Sequence, residues 1–191
     1  MNFIALVIII AFSLAIIAVF LYSIFLIDAI ISNIRVEYID VPSSKRAIEN
    51  IKKTIRELEL KKVVFYDLGS SRGSLAISIK KSFPHFDVYG FDRSGFKIIL
   101  SRAKAFLWGA KVNFFRRDIL KVDIREADII YTYVWPTTVE KLQEKFDKEA
   151  KNGTFFIAST FPFPNWRAIL ERETLTIKRD PSFEKIFLYR K

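Results

Sequence analysis

The sequence has no cysteine and a single histidine, His85. Without thiols there is no disulfide and no thiolate zinc site, and one imidazole in the loop "SFPHFD" cannot build a metal cluster. Charge is missing from the front of the chain. Phe3 to Ile27 contains no charged side chain, and only Ser13, Tyr22 and Ser23 are polar. As a helix this run would measure roughly 37 Å against a hydrocarbon core of about 30 Å, so it is expected to cross a bilayer with some tilt. A cleaved signal peptide needs a basic flank, a shorter apolar core and a small-residue cleavage site. Met1-Asn2 brings no basic residue, and the run ends in bulky side chains. A buried core helix is the remaining alternative.

All 31 Lys and Arg follow the span, starting at Arg35, and of the 21 acids only Asp28 precedes that residue. Basic residues collect on the cytoplasmic side of a span, so the expected arrangement is single-pass, with the N-terminus outside and the body in the cytoplasm. A net charge of +10 also invites a nucleic-acid reading. An anchored body beside anionic headgroups explains the charge with fewer assumptions, and nucleic acid is not the expected partner.

A chain of 191 residues holds one ordinary domain and an appendage. The divisions expected are an anchor and flank over 1–34, a connector and short helix over 35–62, and the main domain over 63–191. Ser44 is a candidate helix N-cap, followed by Ile48, Ile51, Ile55 and Leu58 at helical spacing. Strand and helix patterns then alternate: strands over 63–68, 87–92, 112–117, 127–134 and 153–160, helices over 74–83, 95–109 and 137–151. The last two strands, 174–179 and 185–190, form an antiparallel hairpin through "DPSF". Such alternation predicts an α/β fold over a mostly parallel sheet, whose ligands bind beyond the carboxyl ends of the strands.

Three acids and one loop fall at those ends. Asp67 closes the first strand and begins "DLGSSRG", in which Gly69 and Gly73 permit positive φ and close backbone approach. The helix beginning near Ser74 offers free N–H groups to a ligand. Asp92 closes the second strand, at a spacing suited to a carboxylate on the hydroxyls of a ribose. Asp118 follows the third strand and is placed to accept from an adenine amino group. Each acid has a plainer role open to it as a cap or a solvated loop residue. A phosphate-binding loop of the Gly-Lys-Ser/Thr kind is absent, and the order Gly69, Ser71, Gly73 does not make G-x-G-x-x-G. The pattern points instead to S-adenosylmethionine, which has no phosphates.

From about Tyr38 to Lys191 the chain resembles the membrane-anchored class I methyltransferases that include the mitochondrial lysine methyltransferases of the adenine nucleotide translocase and of ATP synthase subunit c. "YIDVPSS" (38–44), "DLGSSRG" (67–73), "GFDRSGFKIILSRAKA" (90–105), "DIIYTYVWP" (128–136) and "FPFPNW" (161–166) resemble successive motifs of that family. The resemblance implies a Rossmann-like class I methyltransferase sheet with one antiparallel strand near the C-terminus, behind an N-terminal transmembrane helix. It makes 63–191 the catalytic domain and S-adenosyl-L-methionine the cofactor, and it implies a membrane-associated protein as substrate, methylated on lysine. By the same resemblance the cofactor residues are Asp67, Gly69, Ser70, Ser71, Gly73, Asp92, Arg93, Asp118 and Ile119. Three positions depart from the family: its central loop glycine is Ser71 here, its following acid is Arg72, and the Glu it often has after Pro136 is Thr137.

Methyl transfer to an amine asks for alignment and for an amine without its proton, which a dry aromatic pocket favours. Tyr131, Tyr133, Trp135, Phe161, Phe163 and Trp166 are the candidate walls. Tyr133 and Pro136 are expected to line the acceptor slot and Trp166 to cover it, although Tyr131 and Tyr133 share a strand face that is equally suited to the core. A nucleic-acid enzyme would be expected to carry Asn/Asp-Pro-Pro-aromatic after the fourth strand, and "YVWPTT" does not. A lipid methyltransferase, or a binding module disabled by Ser71-Arg72, stays open.

Overall fold

The computed structural model describes residues 2–33, 43–173 and 185–191. The chain divides into two compact units, Met1–Tyr38 and Ile39–Lys191. The described part of the first includes α1 (Phe3–Asn33). Its stretch Phe3–Ile27 has a mean hydropathy of 3.3 with none of it buried. By length and composition this helix is a candidate span.

The second unit is built on a seven-stranded sheet in the order β3-β2-β1-β4-β5-β7-β6. Its strands are β1 (Val64–Leu68), β2 (Asp87–Asp92), β3 (Asn113–Arg116), β4 (Ile129–Thr132), β5 (Phe155–Ser159), β6 (Leu170–Glu173) and β7 (Lys185–Arg190). All neighbouring pairs run parallel except those made by β7, which is antiparallel to both β5 and β6. This is the Rossmann-like arrangement expected, with one reversed strand near the C-terminus. The strand expected over 174–179 lies outside the described residues. β7 instead pairs with a strand that begins at Leu170, in a segment whose pattern "LERE" gives no apolar run to find it by.

Side chains alternate between the two sheet faces. Phe65, Ile129, Tyr131, Ile157, Ile186 and Leu188 point to one face, under α2 (Lys45–Glu57), α3 (Ser74–Ser82) and α4 (Gly95–Leu107). The helix periodicity read from sequence is what closes this layer: Ile51 and Ile55 of α2 and Ile77 and Ile79 of α3 are buried. Ser44 caps α2 as expected, its hydroxyl accepting from the Ala47 N–H at 3.1 Å. On the opposite face Leu68, Ile130, Phe156, Phe187 and Tyr189 meet α5 (Pro136–Glu149), which contributes Val139, Leu142 and Phe146. Pro136 sits in the first turn of α5, where its missing N–H and fixed φ suit a helix start.

Candidate functional site

The parallel strands β1, β2 and β4 end side by side, with Leu68 opposite both Phe91 and Thr132. The loop after β1 is fastened from several directions. Gly69 and Ser70 both donate to the Phe91 carbonyl at 2.9 Å, and Gly73 donates to the Ser70 carbonyl at 2.8 Å. The Ser71 N–H reaches Asp92 Oδ2 at 3.0 Å, and the Ser101 hydroxyl of α4 lies 2.9 Å from the Ser71 carbonyl. Gly69 and Gly73 take φ of +90° and +70°, as their type allows, and Ser71 takes +46°. An L-residue in that region costs about 1–2 kcal/mol. Ser71 thus occupies a glycine-like conformation with a side chain attached.

Asp67 is buried under this loop. Its Oδ2 and the Ser70 hydroxyl are the two buried side-chain atoms without a hydrogen-bond partner among the described residues. Burial pushes the Asp67 carboxyl up to about 7; the Ala76 N–H works against that shift, and the charge of Asp92 adds to it. Buried polar atoms are almost always satisfied, so two orphans in one glycine loop mark a place where a ligand's donors fit. Asp92 is also buried, and its two oxygens accept from Ser71 and from the Ser94 N–H at 2.8 Å.

The other expected cofactor residues are more peripheral. Asp118 is exposed and spends Oδ1 on the Leu120 N–H at 3.0 Å, capping the short turn Ile119–Lys121. Ile119 packs at the edge of the α5-side core. Arg93, half-buried, receives Arg116 Nε on its carbonyl at 3.2 Å.

The expected acceptor residues do not all come together. Tyr133 is half-buried on the α2-side face. With Ser43, Ser44, Ala47, Ser159, Thr160 and Lys185 it lines a cavity of about 10 Å³, room for one water. Trp166 lies on the opposite face. Its ring is 4.8 Å from Phe156 and 5.0 Å from Phe163, and its indole N–H donates to Asp147 of α5 at 3.1 Å. Trp166 is therefore a packing residue between α5 and the sheet, and does not cover a slot beside Tyr133. Nearer to Pro136 are Trp135 and Phe161, whose rings pair at 5.7 Å. Tyr131 is fully buried. Its hydroxyl donates to Ser159 Oγ at 3.0 Å, which leaves the Ser43 hydroxyl, 2.9 Å away, as the donor on its other side. Burial raises the Tyr131 pKa further than these bonds lower it.

Sequence reasoning missed the support beneath the loop. A Cβ at Gly90, in the middle of β2, would stand 2.5 Å from the Phe114 ring, and one at Gly73 would stand 2.6 Å from it. Phe114 thus lies across both glycines. A glycine inside a strand was the available signal for such a close approach.

A family model for the ANTKMT methyltransferase domain matches residues 67–169. The chain belongs to that family. Among relatives, the adenine nucleotide translocase lysine N-methyltransferase of Mus musculus is 26% identical over 131 residues, covering 68% of this chain and 56% of the mouse protein. A protein-lysine N-methyltransferase of Saccharolobus islandicus is 25% identical over 140 residues, covering 70% of this chain and 85% of its own. The chain spans about half the length of the animal relatives it matches. Among solved structures, an RNA methyltransferase from Salinibacter ruber in complex with S-adenosyl-L-homocysteine superposes with a TM-score of 0.68 at 20% identity, covering 78% of this chain and 93% of that one. That likeness establishes the class I methyltransferase fold. The family's cofactor is S-adenosyl-L-methionine, and the residues present fit it. The ligand carries donors on its ammonium, ribose hydroxyls and adenine amino group, and the loop presents orphaned acceptors and a pair of buried carboxylates.

Proposed function

We propose that the chain is a membrane-anchored, S-adenosylmethionine-dependent protein-lysine N-methyltransferase. The observation that carries the reading is Asp67: a buried carboxylate with an unpartnered oxygen, under a left-handed loop, at the strand ends of a methyltransferase-family sheet. Two relatives named for lysine methylation support the acceptor.

In this proposal Asp67, Ser70 and Asp92 hold the cofactor, with the loop backbone from Gly69 to Gly73 close beside it. When bound, the cofactor supplies an electrophilic methyl group on a sulfonium. The chain's task is then to align an amine and to take it in unprotonated. The segment that follows β4, from Tyr133 to Pro136, with the Trp135 and Phe161 rings beside it, is the acceptor wall. Aromatic surface disfavours the charged ammonium before transfer and still attracts the methylated cation through its ring faces. The apolar run Phe3–Ile27 is the anchor, and the absence of Lys and Arg before Arg35 favours an N-terminus outside and a cytoplasmic catalytic domain.

The test is calorimetry on the full chain in nanodiscs with S-adenosyl-L-methionine and S-adenosyl-L-homocysteine, followed by incubation with membrane proteins and mass spectrometry of lysine. Saturable binding that Asp92→Ala weakens, together with new methyl-lysine, is the expected result. Absence of binding by the folded chain would overturn the proposal. Binding accompanied by methyl groups on lipid or RNA alone would overturn the lysine assignment.

A further inference from the structure

Helix α4 breaks the usual pattern of a surface helix. Its inner residues Ile98, Ser101 and Ala105 are buried, so its outer face should be polar. That face instead carries Ile99, Ala103, Phe106 and Leu107, spaced at i, i+4, i+7 and i+8. Phe106 is 85% exposed, Leu107 78% and Ile99 63%, and Trp108 adds a ring that is 55% exposed at the helix end. Single exposed apolar side chains are ordinary, whereas a contiguous stripe of them marks an interaction surface.

The surroundings of the stripe say what it meets. Lys81 and Lys104 each place an ammonium 5.2 Å from the centre of the Trp108 ring. Beside Phe106 a hollow of about 420 Å³ takes in Lys80, Arg102 and Lys111, with Asp87 as its one acid. Lys80 and Arg102 are held on the rim by backbone carbonyls of Phe86 and Phe114. From Arg93 to Arg117 the sequence has seven Lys and Arg and no acid, whereas residues 118–149 have eight acids and five Lys and Arg. The segment that carries α4 is thus uniformly basic, unlike the one that follows it.

Apolar side chains projecting furthest, a Trp at their base and a ring of lysines behind describe an element that lies in a lipid interface. Protein interfaces, by contrast, are depleted in lysine and favour arginine. We propose that the outer face of α4, with Trp108 and its lysine rim, is a wedge that seats the sheet-bearing unit on an anionic phospholipid surface. Phe106 and Leu107 enter the acyl boundary, Trp108 lies at headgroup level, and the hollow beside Phe106 receives a lipid phosphate. The inference is independent of methyl transfer and shares only the bilayer with the proposed anchor.

Because the chain has no cysteine, a single introduced thiol takes a label at one site. The full chain would be placed in nanodiscs of phosphatidylcholine with or without phosphatidylglycerol, one copy per disc. An environment-sensitive fluorophore would sit at Leu107→Cys, at Ser13→Cys in α1, or at Glu144→Cys on exposed α5, with doxyl-labelled lipid as quencher. The wedge predicts quenching at Leu107→Cys, stronger in phosphatidylglycerol discs, and none at Glu144→Cys. Each of Lys81→Gln and Lys104→Gln should lower the docked-to-undocked ratio by roughly fivefold. A quenched Ser13→Cys label with an unquenched Leu107→Cys label would overturn the wedge and leave the anchor standing. The reverse pair would keep the wedge and remove the anchor. Protection of Leu107→Cys only with two copies per disc, or only on adding membrane protein, would assign the face to a protein contact and overturn the proposal.

Discussion

Replacing Asp67 by Asn tests the central electrostatic claim, because the two side chains have nearly the same shape and differ in whether they ionise. In the folded chain burial holds the Asp67 carboxyl at about 7, against 3.8 for the free group. Between those values the folded state keeps a proton that the unfolded state has lost. Stability contributed by this site therefore falls as pH rises, starting near the unfolded value and levelling off above the folded one. Each pH unit is worth about 1.4 kcal/mol, so the full span is on the order of 4 kcal/mol. For a chain of this size that corresponds to roughly 10 °C in Tm. The assay is thermal and denaturant unfolding of the full chain in nanodiscs, wild type against Asp67→Asn, from about pH 5 to about pH 8. Across this range the stability difference should shift in the variant's favour by about 3 kcal/mol, nearly all of it below about pH 7. The difference curve matters, since it removes every other titrating group. A difference that stays flat across this range would show that Asp67 is not a buried, unsatisfied carboxylate, and the ligand site inferred from it would go with it.

Cofactor affinity should rise with pH through about 7, because a cationic ligand favours ionised Asp67; calorimetry in buffers of different ionisation enthalpy should show proton release, and Asp67→Asn should abolish it. Ser71→Gly should relieve left-handed strain of about 1–2 kcal/mol, less up to about 1 kcal/mol for the freer unfolded chain, and so raise Tm slightly; a lower Tm would mean that the serine side chain contributes more than its strain removes. Gly90→Ala should destabilise by about 1–3 kcal/mol by driving a methyl into the Phe114 ring, as read by denaturant unfolding. Trp166→Phe should lower Tm through the lost bond to Asp147 while leaving the KM for protein substrate unchanged; a raised KM would restore Trp166 to the acceptor site.

Local rules made much of the sheet legible. β2 and β7 occupy the residues expected of them because each is an apolar run with a sharp polar border. α2 starts where Ser44 can cap it. The conformation of the loop after β1 was visible for the same kind of reason, since glycines at strand ends announce positive φ before any fold is known. What stayed hidden depended on tertiary placement. Trp166 follows β5 by only a few residues, and nothing local decides on which sheet face that segment lands. Its clustering with Phe146 and Phe156 is set by α5, which precedes β5 in the chain. The Tyr131 hydroxyl bridges Ser43 and Ser159, residues far apart in sequence, and no periodicity predicts such a meeting. The outer stripe of α4 was present in the sequence as "IL" and "FLW", but apolar residues on every side of a helix read as deeper burial until exposure is known.

The departure at Ser71 then has a physical account on the loop's own terms. A glycine is the ordinary occupant of φ +46° because it meets no Cβ penalty there. A serine is kept in that conformation only if its neighbours over-determine it. Here they do: its N–H is taken by Asp92 and its carbonyl faces the Ser101 hydroxyl, while Gly69 and Ser70 beside it are both fixed on the Phe91 carbonyl. Hydrogen bonds of this kind contribute about 1 kcal/mol each, more where a carboxylate accepts, which is enough to offset the strain. Asp92 therefore serves the loop through its contacts to the Ser71 and Ser94 N–H groups. The serine leaves the unpartnered Asp67 oxygen and Ser70 hydroxyl of the loop in place.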